Sequence, residues 1–175
     1  MTAGDDAARA AGTGDSAGRG EPLLDLLRRD HREILDLFDR VAECGKGELD
    51  KMLSLFNRIE EGVQRHFEGE ERFLYTALEQ HEEARGLVLE SYELHRVATF
   101  TIGGFKALAL DDERWRPKAL VLRRLVEVHV ELQEKDLFPV ALRVLGEEQL
   151  RGIEAHFVGV RSGSDPHRAG LDAPK

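Results

Sequence analysis

The sequence predicts an all-α protein: an antiparallel up-down-up-down four-helix bundle with a short fifth helix at its C-terminal side. Three observations predict it. Apolar residues recur with a period of about 3.6 through most of residues 21–160. No alternating β-branched run bounded by turn residues interrupts them. The links between periodic stretches are short, which makes consecutive helices antiparallel neighbours.

The elements follow in order. Eleven of the first twenty residues are Ala or Gly, and beyond Met1 none carries a large apolar side chain. Such a segment cannot bury enough surface to offset its ordering entropy, so 1–20 reads as a disordered tail. The Gly-x-Gly pair at Gly12 and Gly14 follows no predicted strand and carries no nucleotide-loop reading. Pro22 suits a first helical turn, where its missing N–H costs nothing. From there Leu24, Leu27, Ile34, Phe38 and Val41 mark one face of helix 1, and Gly45 and Gly47 end it. Helix 2 is expected over 48–79, with Met52, Leu55, Phe56, Ile59, Val63, Phe73 and Leu74 inward. Helix 3 is expected over 83–110; Gly103 and Gly104 inside it imply either a close helix contact or a kink. The acidic turn Asp111-Asp112 leads to helix 4, expected over 114–145, with Leu122, Leu125, Val126, Leu132, Leu137 and Val140 inward and a kink at Pro139. Gly146 separates a short helix 5 over 147–159. Residues 161–175 read as a second disordered tail, leaving one folded domain at 21–160.

Charge and composition exclude several functions. With 25 Lys and Arg against 34 Asp and Glu, the net charge is −9, a poor match to nucleic acid or an anionic membrane surface. The single cysteine, Cys44, rules out a disulfide framework and a cysteine zinc site. No apolar run reaches membrane-spanning length, and the N-terminus lacks an apolar signal core, so a soluble cytoplasmic protein is expected.

The seven histidines are the anomaly. His31 continues the apolar stripe of helix 1 and His66 that of helix 2. His95 lies one turn beyond Val88 and Tyr92 on helix 3, and His129 falls between Val126 and Leu132 on helix 4. Counted from the intervening turns, the four lie at depths that agree within about one helical turn. They should meet in one layer at mid-bundle. Glu70, four residues after His66, shares its face. Glu134, five residues after His129, sits about 140° around the helix and would have to bend back to join it. Four imidazoles and two carboxylates are costly to bury unless something compensates, and metal coordination does. A nitrogen and oxygen donor set without thiolate suits iron, manganese or zinc, and two bridging carboxylates suggest two metals. Glu71 is expected to face solvent. His81, His156 and His167 read as ordinary turn, bundle-edge and tail residues, and Cys44 has no partner for redox or nucleophilic work.

The phrases DHREILDLFDRV around His31, HFEGEERFLYTAL from His66, ELHRV around His95 and HVELQEKDLFPVAL from His129 resemble the hemerythrin-like, or HHE cation-binding, family over about 22–158. Ferritin-like di-iron bundles use Glu-x-x-His instead, a spacing absent here. The resemblance implies two non-haem iron ions, oxo- or hydroxo-bridged. His31, His66, His95 and His129 match the family's histidine ligands, and Glu70 and Glu134 its bridging carboxylates. There are two departures. The oxygen carriers have a further histidine four residues before the helix 3 one, where this chain has Ser91. That leaves an open position, for which Tyr92 and Glu90 are candidate fillers beside water. Position 133 is Gln, so the helix 4 carboxylate comes from i+5.

What the resemblance implies is binding of O2 or peroxide, for oxygen or redox sensing or for iron handling. The alternatives are an enzyme decomposing hydrogen peroxide at the same centre, which the Ser91 position favours, and a bundle that stores or buffers metal. The sequence names no protein partner.

Overall fold

The computed structural model describes residues 23–161, and among them there is no strand. Pro22, His167 and both predicted tails, apart from Arg161, lie outside the described residues. Helix α1 is Leu23–Glu43, burying Leu24, Leu27, His31, Ile34, Phe38 and Val41 along the predicted stripe. Helix α2 spans 49–78, α3 is Glu82–Gly103, α4 spans 115–145 and α5 spans 147–161. The expected up-down-up-down bundle with its C-terminal helix is observed. Gly146 separates α4 from α5 at φ 70° and ψ 170°, a backbone conformation that a Cβ disfavours.

Two long helices are less regular than their period suggested. Helix α2 is α-helical over Leu49–Gly69, widens into a π turn over Glu70–Tyr75, and returns to α over Thr76–Leu78. Helix α4 does the same, with a π turn at Gln133–Leu137 between Trp115–Leu132 and the helix that starts at Phe138. Each wide turn follows a site histidine by four residues. The helix runs on through Pro139; the π turn stands where the proline ring and its missing N–H disturb the preceding turn.

Helix α3 is shorter than expected, ending at Gly103 rather than near residue 110. Two adjacent glycines each cost about 1 kcal/mol in helix propagation. The chain instead turns so that Phe105 packs on Phe56 and Trp115, with ring centroids 4.3 and 5.2 Å away. A Cβ on Gly103 would meet nothing within 4 Å, so this glycine serves no close helix contact.

The core is two apolar clusters with a polar layer between them. One, around Phe38, Phe56, Ile59, Trp115 and Leu122, fills the end where α1 meets α2 and α3 meets α4. The other, around Leu27, Leu78, Val88, Leu137 and Phe157, fills the opposite end and includes α5. The buried polar residues Asp30, His31, His66, Glu70, Ser91, His95, His129 and Gln133 occupy the level between. No helix among the described residues is long and apolar enough to cross a membrane.

Candidate metal centre

Each helix of the bundle sends one histidine into the polar layer. His31, His66, His95 and His129 are 1%, 3%, 2% and 1% exposed. Ring centroids lie 4.7 Å apart for His31 and His66, 5.6 Å for His31 and His129, and 4.8 Å for His95 and His129. The single layer inferred from depth counting is therefore present. His31 Nε2 faces His66 Nε2 at 3.0 Å.

Glu70 stands among them, fully buried. Its Oε1 is 3.4 Å from His66 Nε2; its Oε2 is 3.3 Å from His95 Nε2 and 3.6 Å from His129 Nε2. The i+4 spacing delivers this placement, because both side chains leave the same face of α2. One donor atom from each of His31, His66, Glu70 and His129 lies within 4.8 Å of all the others, so these four could hold a metal ion. His95 adjoins this set through Glu70 Oε2, the oxygen that also faces His129.

Glu134 takes a different place from the inner one that its sequence position suggested. Its Oε1 accepts a hydrogen bond from His31 Nδ1 at 2.8 Å, and its side chain is 31% exposed. The 140° offset from His129 turns it toward α1, where it meets the outer edge of the His31 ring. Glu71, expected in solvent, lies at the rim and accepts from His95 Nδ1 at 2.7 Å. Asp30, which the sequence reading passed over, sits with Oδ2 3.7 Å from His66 Nδ1. Three of the four imidazoles thus have a carboxylate at their outer nitrogen. For His31 the bond fixes the proton on Nδ1 and leaves an Nε2 lone pair facing inward.

Two further buried residues shape the layer. The Tyr75 hydroxyl donates to Glu70 Oε2 at 3.1 Å, lies 3.3 Å from His95 Nε2, and accepts from Gln133 Nε2 at 2.6 Å. In an α-helix Tyr75 would be about 140° from Glu70; the π turn brings it round. Gln133 had a readable signal, the same i+4 spacing from His129 that marks Glu70 from His66. Ser91 is fully buried, its hydroxyl donating to Leu87 O at 2.9 Å. Tyr92 packs its ring against Tyr75 at 5.2 Å, and burial and a bond with Glu79 push its hydroxyl up to about 12. Glu90 is exposed. His156 stacks on Phe73 at the bundle edge, His81 lies in the α2–α3 turn, and Cys44 is buried with Sγ donating to Arg40 O.

The electrostatics favour ligand-ready groups. Burial holds the His129 imidazole well below the usual histidine range, against the pull of Glu70. Burial lowers His31 as well, despite its bond to Glu134. Burial opposes charge on His95, yet the bonds to Glu70 and Glu71 raise it. Burial alone would raise the Glu70 carboxyl, but His66, His95 and His129 outweigh it and hold it below the carboxylate range. Several buried atoms have no hydrogen-bond partner: His129 Nδ1 and Nε2, His66 Nδ1, Glu70 Oε1 and Gln133 Oε1. Buried polar atoms without partners are costly unless a cation receives the inner lone pairs, and the donor set fits a metal of nitrogen and oxygen preference.

A helical bundle with one histidine per helix around a buried glutamate presents a histidine–carboxylate donor set that could hold a cation. The family comparison agrees: the hemerythrin HHE cation-binding domain matches residues 23–141, and the chain belongs to that family. Neither the curated proteins nor the solved structures include a significant match to it.

Proposed function

We propose that the polar layer holds two non-haem irons and binds O2 or peroxide, for oxygen or redox sensing or for iron handling in the cytoplasm. The observation that carries this reading is Glu70. It is buried with His66 near one oxygen and His95 and His129 near the other, the arrangement of a carboxylate shared between two cations. The same cluster and the family membership support metal binding itself. When bound, the iron supplies the redox chemistry, and the protein sets access, polarity and hydrogen bonding.

The chain's own residues have distinct parts. His31, His66, His95, His129 and Glu70 are the inner donors. Glu134 and Glu71 hold the rings of His31 and His95 from behind, which fixes their orientation. Tyr75 keeps a proton pointed at Glu70 Oε2 and is itself held by Gln133. The apolar clusters above and below exclude bulk water.

A second reading, decomposition of hydrogen peroxide, draws on Ser91. This buried position carries a short hydroxyl already engaged with Leu87, so no protein donor reaches the inner set from it. Room for a second exchangeable ligand favours turnover over reversible binding.

The test begins with anaerobic Fe2+ loading of the full chain and metal analysis. Two irons per chain are expected, with a visible absorption change on adding O2 or peroxide. A chain that stays folded and binds no iron overturns the centre. Sustained O2 release from peroxide, lost in His129→Ala, establishes the enzymatic reading; a stable spectral shift without release sinks it.

A further inference from the structure

The outer nitrogens of the histidines are not equally covered. Glu134 closes over His31 at 2.8 Å and Glu71 over His95 at 2.7 Å. Asp30 stands off His66 by 3.7 Å, beyond hydrogen-bond length, and His66 Nδ1 is a buried atom with no hydrogen-bond partner. That same imidazole lines a cleft of about 230 Å³ between α1 and α2, together with Asp30, Ile34, Gly62 and Arg65. The cleft runs from the charged surface of the two helices to the edge of the polar layer.

Gly62 forms part of the cleft wall. It sits in the interior of α2, one turn before His66, where glycine costs about 1 kcal/mol against alanine. A Cβ there would meet Ile34 Cγ1 at 3.4 Å, an ordinary contact, so packing does not demand the missing side chain. The trough lies between α1 and α2, with Gly62 on its wall and His66 at its inner end. Asp30, 8% exposed, places a carboxylate beside that end.

We propose that this cleft is the entrance by which a divalent cation reaches the inner donors, with Asp30 receiving it at the neck and His66 next inside. The inference rests on the metal-centre reading above and adds a route to it. The groove on the opposite side, lined by Glu71, Tyr92, His95 and Phe100, also touches the layer. There the Glu71–His95 hydrogen bond already occupies the imidazole edge that a cation would meet first.

The test measures the rate and extent of anaerobic Fe2+ uptake by the metal-free full chain, sampled with a chromogenic chelator. Gly62→Leu fills the trough with a residue of higher helix propensity. It is expected to slow uptake about tenfold while reaching the wild-type iron content. Asp30→Asn is expected to slow uptake in the same direction, and it carries the test if Gly62→Leu does not fold by circular dichroism. Thr99 also lines the opposite groove, and Thr99→Leu, which fills it, is expected to load at the wild-type rate. Wild-type loading rates in the folded cleft variants overturn the entrance, as does equal slowing by Thr99→Leu. A wild-type chain that takes up no Fe2+ overturns the centre and the entrance together, whereas normal loading with an indifferent cleft overturns the entrance alone.

Discussion

Glu134 meets His31 at Nδ1, 2.8 Å away, while Nε2 of the same ring points at His66 Nε2, 3.0 Å away. The carboxylate therefore acts on the donor through the ring. It selects the tautomer that presents a lone pair inward and raises the basicity of that nitrogen. Removing such a group weakens a metal site without deleting a ligand. Glu134→Ala is expected to lower iron affinity about 10–100-fold while two irons still bind at saturation. Glu70→Ala, which takes away the shared inner carboxylate, is expected to reduce the stoichiometry itself. Competition titration with a chelator of known affinity separates the two. Equal loss of bound iron in both variants would place Glu134 among the inner donors.

Tyr75 links Glu70 to Gln133 through one hydroxyl, and none of the three is exposed. Tyr75→Phe strips that hydroxyl and leaves the Gln133 amide N–H with no acceptor. Leaving a buried polar group unsatisfied costs about 1–3 kcal/mol. The variant's melting temperature should fall by several degrees. The double variant Tyr75→Phe, Gln133→Leu removes both sides of the bond and should recover part of the loss, which a double-mutant cycle reads directly. Additive losses would show that the two residues are not coupled.

How much of this was legible in the sequence depended on which helical period operated. The stripes of α1 through α4 and the common depth of His31, His66, His95 and His129 follow from 3.6 residues per turn, and they were readable. So was the Gly146 break, since a positive φ selects glycine. Tyr75 was hidden because the π turn at Glu70–Tyr75 changes the angle between residues five apart, and nothing in the local composition announces that turn. The end of α3 at Gly103 depended on Phe105 finding Phe56 and Trp115, a long-range contact that period and propensity do not encode. Glu134 was legible as a carboxylate near the site. Its partner was not, because the angular offset says which way it leaves α4 and not that His31 waits there.

Gly69 lies between the site and the C-terminal helix. A Cβ at this position would overlap the Phe157 ring, reaching Cδ2 at 2.7 Å and Cζ at 3.0 Å. Phe157 is 1% exposed and its centroid is 6.4 Å from that of His66, so α5 caps the layer with this ring. Gly69→Ala must push the ring out or bend α2. Overpacking of this kind costs about 1–3 kcal/mol, even though alanine is the better helix former. Thermal melts should show the loss, and adding Phe157→Leu should restore part of it. A Gly69→Ala variant as stable as the wild type would mean that α5 does not seat Phe157 there.

The metal-free protein should lose stability on acidification, and His129 is the main reason. Burial holds its folded-state pKa well below the ordinary 6.5, and burial lowers His31 in the same sense. Below pH 6.5 the unfolded chain gains protons on these residues that the folded chain does not take up, so stability falls as pH drops from about 7 toward 5. His95 runs the other way. Burial opposes its charge, but Glu70 and Glu71 raise its pKa, so its contribution is fully present below 6.5 and is lost as pH rises through its folded value. Of the three, His129 is displaced furthest from its ordinary value, so its loss dominates on acidification. Glu70, held below its ordinary 4.5, adds a further loss only at lower pH. His129→Leu keeps the volume and removes the largest contribution. Urea denaturation of the chelator-treated proteins at pH 7 and pH 5 should show a wild-type drop in stability that is smaller in the variant. An equal drop in both proteins would mean that His129 titrates in the folded chain as it does in the unfolded one. The buried, partnerless imidazole seen here would then have to be reached by water.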